Sequence, residues 1–181
     1  MVNWFIYIFF VFFLVFFFIY FFGNRETINI NDLEIDSEYS FFNNSQGKTA
    51  YYSVGEDSSE PLILIHGVTV PSYYYKKIAN SLSKIGYKVY VYDHFGRGFS
   101  DRPKIKYNMQ AYQNQLNDFI THLSLDNFTL MGVSMGGALA SNYAANNPNK
   151  VKALILNVPF VGSQTIGLEN FASIPIFWDF Y

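Results

Sequence analysis

The chain has 181 residues, room for one domain and little more. Half of them are hydrophobic and a fifth aromatic, which provides for a sizeable core and excludes a disordered polymer. A formal net charge of −2 without a basic face argues against nucleic acid as a partner, and the lack of cysteine removes disulfide frameworks and thiolate metal sites.

The first element is "VNWFIYIFFVFFLVFFFIYFF", residues 2–22, in which only Asn3 is clearly polar and nothing is charged. Some 20 apolar residues rising about 1.5 Å each match the roughly 30 Å hydrocarbon core of a bilayer. A cleaved signal peptide is the rival reading. It calls for a basic start, a shorter apolar run and a small-residue cleavage site, and "FFGNRE" follows instead. A buried core helix fits less well, because the run has no polar face. The expectation is a single N-terminal membrane anchor over 1–22, with its orientation undetermined, and a polar linker over 23–37.

Next, "EYSFFNN" and "KTAYYSVGE" read as two strands of a hairpin joined through "NNSQG", with "SSEP" closing the unit. From Leu62 the pattern changes. "LILIH", "KVYVYD", "NFTLMGV" and "VKALILNV" are short apolar runs separated by helical spacing. Met109, Tyr112, Leu116, Phe119, Ile120 and Leu123 mark one face of a helix, and Tyr75, Ile78, Leu82 and Ile85 mark a shorter one. Strands apolar on both sides and alternating with helices predict an α/β fold: a mostly parallel sheet flanked by helices, with the hairpin at one edge. "VKALILNV" is expected to leave an apolar edge, open to a protein partner.

Three constellations carry chemistry. "LMGVSMGGALA" places Ser134 in G-x-S-x-G between an apolar strand and a small-residue helix. The bare spacing arises by chance in roughly one chain in twenty of this length. The strand–turn–helix context is what a nucleophile elbow requires, and Gly132, Gly136 and Gly137 supply the tiny flanking residues. "LILIHGVTV" runs a strand into His66 and Gly67 and then a loop. Acyl transfer needs backbone N–H donors aimed at the developing oxyanion, and Met135 and Val68 are the candidates. His66 ends a strand ahead of the serine and reads as a residue that shapes the loop by hydrogen bonding. "YDHFGRGFSDRP" ends a strand at Asp93 and enters a Gly-rich turn, where Asp93 and Ser100 are expected to satisfy backbone N–H groups. His94 and His122 are expected to be solvated or locally bonded. No dinucleotide loop, phosphate loop or H-E-x-x-H pair is present, so neither cofactor nor metal is expected.

In this order and on these elements, "HGVTVPS", "YDHFGRGFSDRP" and "GVSMGG" resemble the N-terminal half of an α/β-hydrolase-fold enzyme of the serine esterase, lipase or lysophospholipase kind. The resemblance covers Glu38 to Phe160. It implies Ser134 as nucleophile, Val68 and Met135 as oxyanion donors, and the Asp93–Ser100 segment as a structural loop. Residues 161–181 resemble the start of a lid or cap. A Ser rather than an Asp at the elbow points away from epoxide hydrolases and haloalkane dehalogenases.

The family's triad continues with an acid and then a histidine. After Ser134 the sequence holds only Glu169 and Asp179 as acids and no histidine. Removing the histidine of a working triad costs roughly 10⁶ in kcat. Two expectations follow. One is a membrane-anchored hydrolase of carboxylic, lipid-like esters whose base lies outside this sequence. The other is an inactive, membrane-tethered binding module. An acyltransferase or perhydrolase on the same scaffold is not separable from these by sequence. Asn43 and Asn127 are N-glycosylation sequons for a lumenal body, with only Asn43 expected to be accessible because Asn127 opens a buried strand.

Overall fold

A computed structural model describes residues 4–23 and 38–160. The linker expected over 23–37 falls outside them except for Gly23, and the lid segment over 161–181 falls outside them entirely. The first unit is helix α1, Trp4–Phe18, continued by a wider turn over Ile19–Gly23. Together these 20 residues are long and apolar enough to cross a membrane.

The second unit is built on a six-stranded sheet. Its strands are β1 (Ser40–Asn43), β2 (Lys48–Val54), β3 (Glu60–Ile65), β4 (Tyr87–Tyr92), β5 (Phe128–Val133) and β6 (Val151–Asn157). Helices α2 (Lys76–Ser83), α3 (Met109–His122) and α4 (Met135–Asn146) connect the later strands. The strand order is β1-β2-β4-β3-β5-β6. β4, β3, β5 and β6 are mutually parallel, and the β1–β2 hairpin joins antiparallel to β4 through β2. β3 begins at Glu60, paired with Tyr87, so "SSEP" does not close the hairpin unit as expected. Pro61 is tolerated there, at the second residue of the strand.

Leu62, Ile63, Leu64 and Ile65 are all fully buried because β3 is covered on both faces. Alternate residues serve alternate layers. Ile63 and Ile65 pack with Tyr112, Leu116, Phe119 and Ile120 of α3 and Leu139 and Tyr143 of α4. Leu62 and Leu64 pack on the other face with Tyr52, Val89, Val91, Tyr75 and Ala79. α3 is capped by the Asn108 side chain, which accepts from the Ala111 N–H at 2.9 Å. Of its expected face only Met109, in the first turn, is exposed.

α2 departs from expectation. Tyr75 and Ala79 are buried and Leu82 packs partly, while Ile78 is 40% and Ile85 71% exposed. Ala79 is the residue that lets the helix lie against the sheet. Ile78 sits a quarter turn away from it, and Ile85 lies beyond the helix end. Asn127 itself is exposed, in a positive-φ turn ahead of β5, while Phe128 and Thr129 of its sequon are buried in the strand as expected. β6 ends the sheet order, and Leu154, Ile155 and Leu156 are partly exposed.

Candidate active site

The chain passes from β3 to β4 on one side of the sheet, then crosses back over β3 to reach β5. In open α/β sheets such a reversal opens a crevice at the carboxyl ends of the strands. The loops after β3, β4 and β5 meet there.

The loop after β5 is a single residue. Ser134 has φ 52° and ψ −119°, a conformation that L-residues rarely adopt. Its side chain is exposed. Its N–H donates to the Asn157 carbonyl at 3.1 Å, and its carbonyl accepts from Gly137 and Phe160 N–H at 2.9 Å each. The strained turn is therefore tied down by the end of β6. The neighbouring glycines are required by space. A Cβ on Gly132 would lie 2.4 Å from the Gly136 carbonyl oxygen, and one on Gly136 would lie 2.2 Å from that of Ile65. Gly67 faces Ser134 so closely that its Cβ would stand 3.2 Å from the serine Cβ.

The loop after β3 is held by its carbonyls. His66 is fully buried. The His94 N–H donates to its Nε2 at 3.0 Å, which leaves the proton on Nδ1 to donate to the Gly67 carbonyl at 2.6 Å. The His94 Nε2–H donates to the His66 carbonyl at 3.0 Å, and the Arg97 Nε–H donates to the Val68 carbonyl at 2.8 Å. Three successive carbonyls are thus drawn to side chains. Because the C=O and N–H of a peptide point oppositely, holding the Gly67 carbonyl turns the Val68 N–H the other way. Neither the Val68 nor the Met135 N–H donates to any group among the described residues. Burial favours the neutral rings, bringing His66 down to about 4 and His94 well below its ordinary range.

The loop after β4 is a buried polar knot. Asp93 accepts from the Ser72 N–H at 2.7 Å and the Phe99 N–H at 3.0 Å. Burial raises its pKa, and those hydrogen bonds oppose the rise. Its carbonyl takes the Ser100 hydroxyl at 2.6 Å and the Gln115 amide at 3.0 Å. Gly98, at φ +48°, has no room for a Cβ, which would collide with the Asp93 carboxylate at 2.2 Å.

The structure therefore brings Ser134, Met135, Gly67, Val68 and His66 to one place, with Asp93 behind them. His94 is fully buried, not solvated, because its ring is sandwiched by His66, Tyr92 and Tyr112. His122 lies elsewhere, exposed and stacked on Phe42 at 4.5 Å. No described residue hydrogen-bonds the Ser134 hydroxyl, and His66 has both ring nitrogens committed to the loop. Sequence reasoning missed Arg97, His94 and Gln115 as supports. Only Gln115 left a signal, as a polar residue on the apolar face of α3.

A family model described as alpha/beta hydrolase fold matches residues 60–181. The chain belongs to the α/β-hydrolase fold family. Among curated relatives of this α/β-hydrolase chain, haloalkane dehalogenase 2 of Mycobacterium tuberculosis is 27% identical over 139 residues, covering 76% of this chain and 48% of that protein. Proline iminopeptidase of Clostridium botulinum is 34% identical over 116 residues, covering 61% and 39%. The solved esterase of Exiguobacterium antarcticum superposes with a TM-score of 0.58 at 32% identity, covering 62% of this chain and 42% of that one. A structure from work on carboxylesterases of the thaumarchaeon Nitrososphaera gargenis gives 0.61 at 30% identity, covering 65% and 44%. The chain spans about half the length of the first curated relatives it matches. The dehalogenase likeness extends over the fold, and the residue at the elbow of this α/β-hydrolase chain is still Ser134.

Proposed function

We propose that this protein is a membrane-anchored serine hydrolase that cleaves carboxylic esters, lipid-like ones among them, through an acyl-enzyme on Ser134. The observation that carries this is the conformation of Ser134: exposed, strained and tethered at the crevice, facing Gly67 and two uncommitted N–H groups. In the first step the Ser134 hydroxyl attacks the ester carbonyl and its proton passes to a base outside residues 38–160. The tetrahedral oxyanion is met by the Val68 and Met135 N–H groups. The alkoxide leaves with the proton, and water then releases the acid by the reverse sequence. Two relatives named as esterase or carboxylesterase support the ester class. Trp4–Gly23 supports the anchor, although a signal sequence has the same character.

The test is covalent labelling by a fluorophosphonate on the protein recovered from its own membranes. Labelling lost in Ser134→Ala is the expected result. Labelling that survives the substitution, or none in the native protein, overturns the reading. One observation favours a second reading, a tethered binding module: no described group hydrogen-bonds the Ser134 hydroxyl. That reading expects a folded body with neither labelling nor ester turnover.

A further inference from the structure

Of the residues that the helical pattern assigned to the core of α2, Ile78 and Ile85 stand in solvent, and they have company. Tyr74 is 61%, Ile78 40% and Ile85 71% exposed. Tyr74 lies in the short turn Ser72–Tyr75 that leads into α2, Ile78 on α2 about a quarter turn from buried Ala79, and Ile85 in the turn after the helix. Tyr73, 48% exposed, stacks on Tyr74 with ring centroids 4.5 Å apart. Lys77 and Lys84 adjoin these residues, both exposed, and neither meets a carboxylate among the described residues. From Pro61 to Tyr92 the chain carries Lys76, Lys77, Lys84 and Lys88 and no acid, against a chain that is net acidic. Lys76 and Lys88 are tied to Glu38 and Asp57, so the unpaired positive charge is concentrated on this segment.

We infer that the exposed surface of the segment from Tyr73 to Ile85, α2 and the turns at its two ends, rests on an anionic lipid surface. Tyrosines are amphipathic side chains of the headgroup layer, exposed isoleucines enter its acyl boundary, and lysines beside them meet acidic headgroups. A second copy of the chain is a poor occupant, because a two-fold pairing of this face sets lysines against lysines with no acid to match them. The inference rests on the anchor reading only in that a spanning helix keeps such a surface within reach. The surface begins at Tyr73, five residues after Val68, so lipid contact here holds the crevice beside the membrane.

The chain has no cysteine, so Ile78→Cys creates a single labelling position. Asn114→Cys, exposed on α3 over the opposite face of the sheet, is the control. Each full-length variant is fitted with an environment-sensitive fluorophore and reconstituted into vesicles carrying a headgroup-level quencher. The vesicles are phosphatidylcholine alone or phosphatidylcholine with phosphatidylserine. The expected result is about threefold stronger quenching at 78 than at 114, confined to vesicles with phosphatidylserine. Lys77→Gln and Lys84→Gln are each expected to weaken the contact about fivefold. Equal quenching at the two positions, or equal quenching in both vesicles, overturns the inference. So does a label at 78 already shielded in detergent, which marks another part of the chain or a second copy as the occupant. Carbonate extraction of the same vesicles tests the anchor separately: a chain that resists extraction yet shows no quenching at 78 refutes the face alone. A chain released by carbonate refutes the anchor alone, and flotation with phosphatidylserine vesicles then reads the face.

Discussion

The elbow at Ser134 and the turn at Asp93 both hold backbone in shapes it does not favour, and they do so by opposite means. At the elbow side chains are missing: Gly132, Gly136 and Gly67 leave space for backbone to approach backbone. At the turn side chains are added: a buried carboxylate, two hydroxyls and a glutamine amide satisfy the loop from within. The first device is local in sequence. The second draws on residues more than twenty positions apart. Both exclude an added atom, at Gly136 as at Gly98, but only the turn also depends on hydrogen bonds from buried side chains.

The largest expected effect breaks the elbow. In Gly136→Ala the new methyl must displace the Ile65 carbonyl of the central strand, which has nowhere to go. The expected loss is about 3–5 kcal/mol, read from denaturant unfolding in detergent. A loss under about 1 kcal/mol would mean that the elbow backbone yields and that the contrast is overdrawn.

Acid tests the neighbouring loop. His66 takes up its proton near pH 4 when folded, against 6.5 for the free side chain. Between these values the unfolded chain binds more protons, so stability falls as pH falls. The loss begins below about pH 6.5 and amounts to on the order of 3 kcal/mol by pH 4. His94, shifted in the same direction, adds to it. Melting temperature followed from pH 7 to 4 checks this, and a flat profile would contradict the buried neutral pair.

Asp93→Asn addresses the turn directly. An amide can accept from only one of the Ser72 and Phe99 N–H groups and turns an NH₂ toward the other. A loss of about 2–3 kcal/mol is expected. Smallest, and opposite in sign, is Ser134→Gly. Glycine relieves the positive φ, so stability is expected to rise by about 1 kcal/mol while fluorophosphonate labelling disappears. A destabilised glycine variant would show that the serine side chain helps to hold the elbow.

This division also explains what was legible beforehand. β3 and β5 could be read because burial on both faces makes each a continuous apolar run, β4 and β6 because they too are short apolar runs although β6 lies exposed at the end of the sheet, and the hairpin because turn residues bound it. Ser134 and its glycines are contiguous, so the elbow could be read too. The bonds from His94 to His66 and from Arg97 to Val68 cross 28 or 29 positions, and no residue spacing announces them. For α2 the periodicity named an apolar side, but only packing decides which side the sheet covers, and small Ala79 won over Ile78.

The strand order has a consequence for synthesis. β2 emerges from the ribosome with Ala50 and Tyr52 ready for burial, yet its inner neighbour is β4, made only after β3 and α2. Translation at 5–20 residues per second leaves about 2–8 s in which the hairpin exists without its partner. During that interval its open edge and aromatic face are what a nascent-chain chaperone meets, and the loops that later cradle Ser134 have no sheet to hang from.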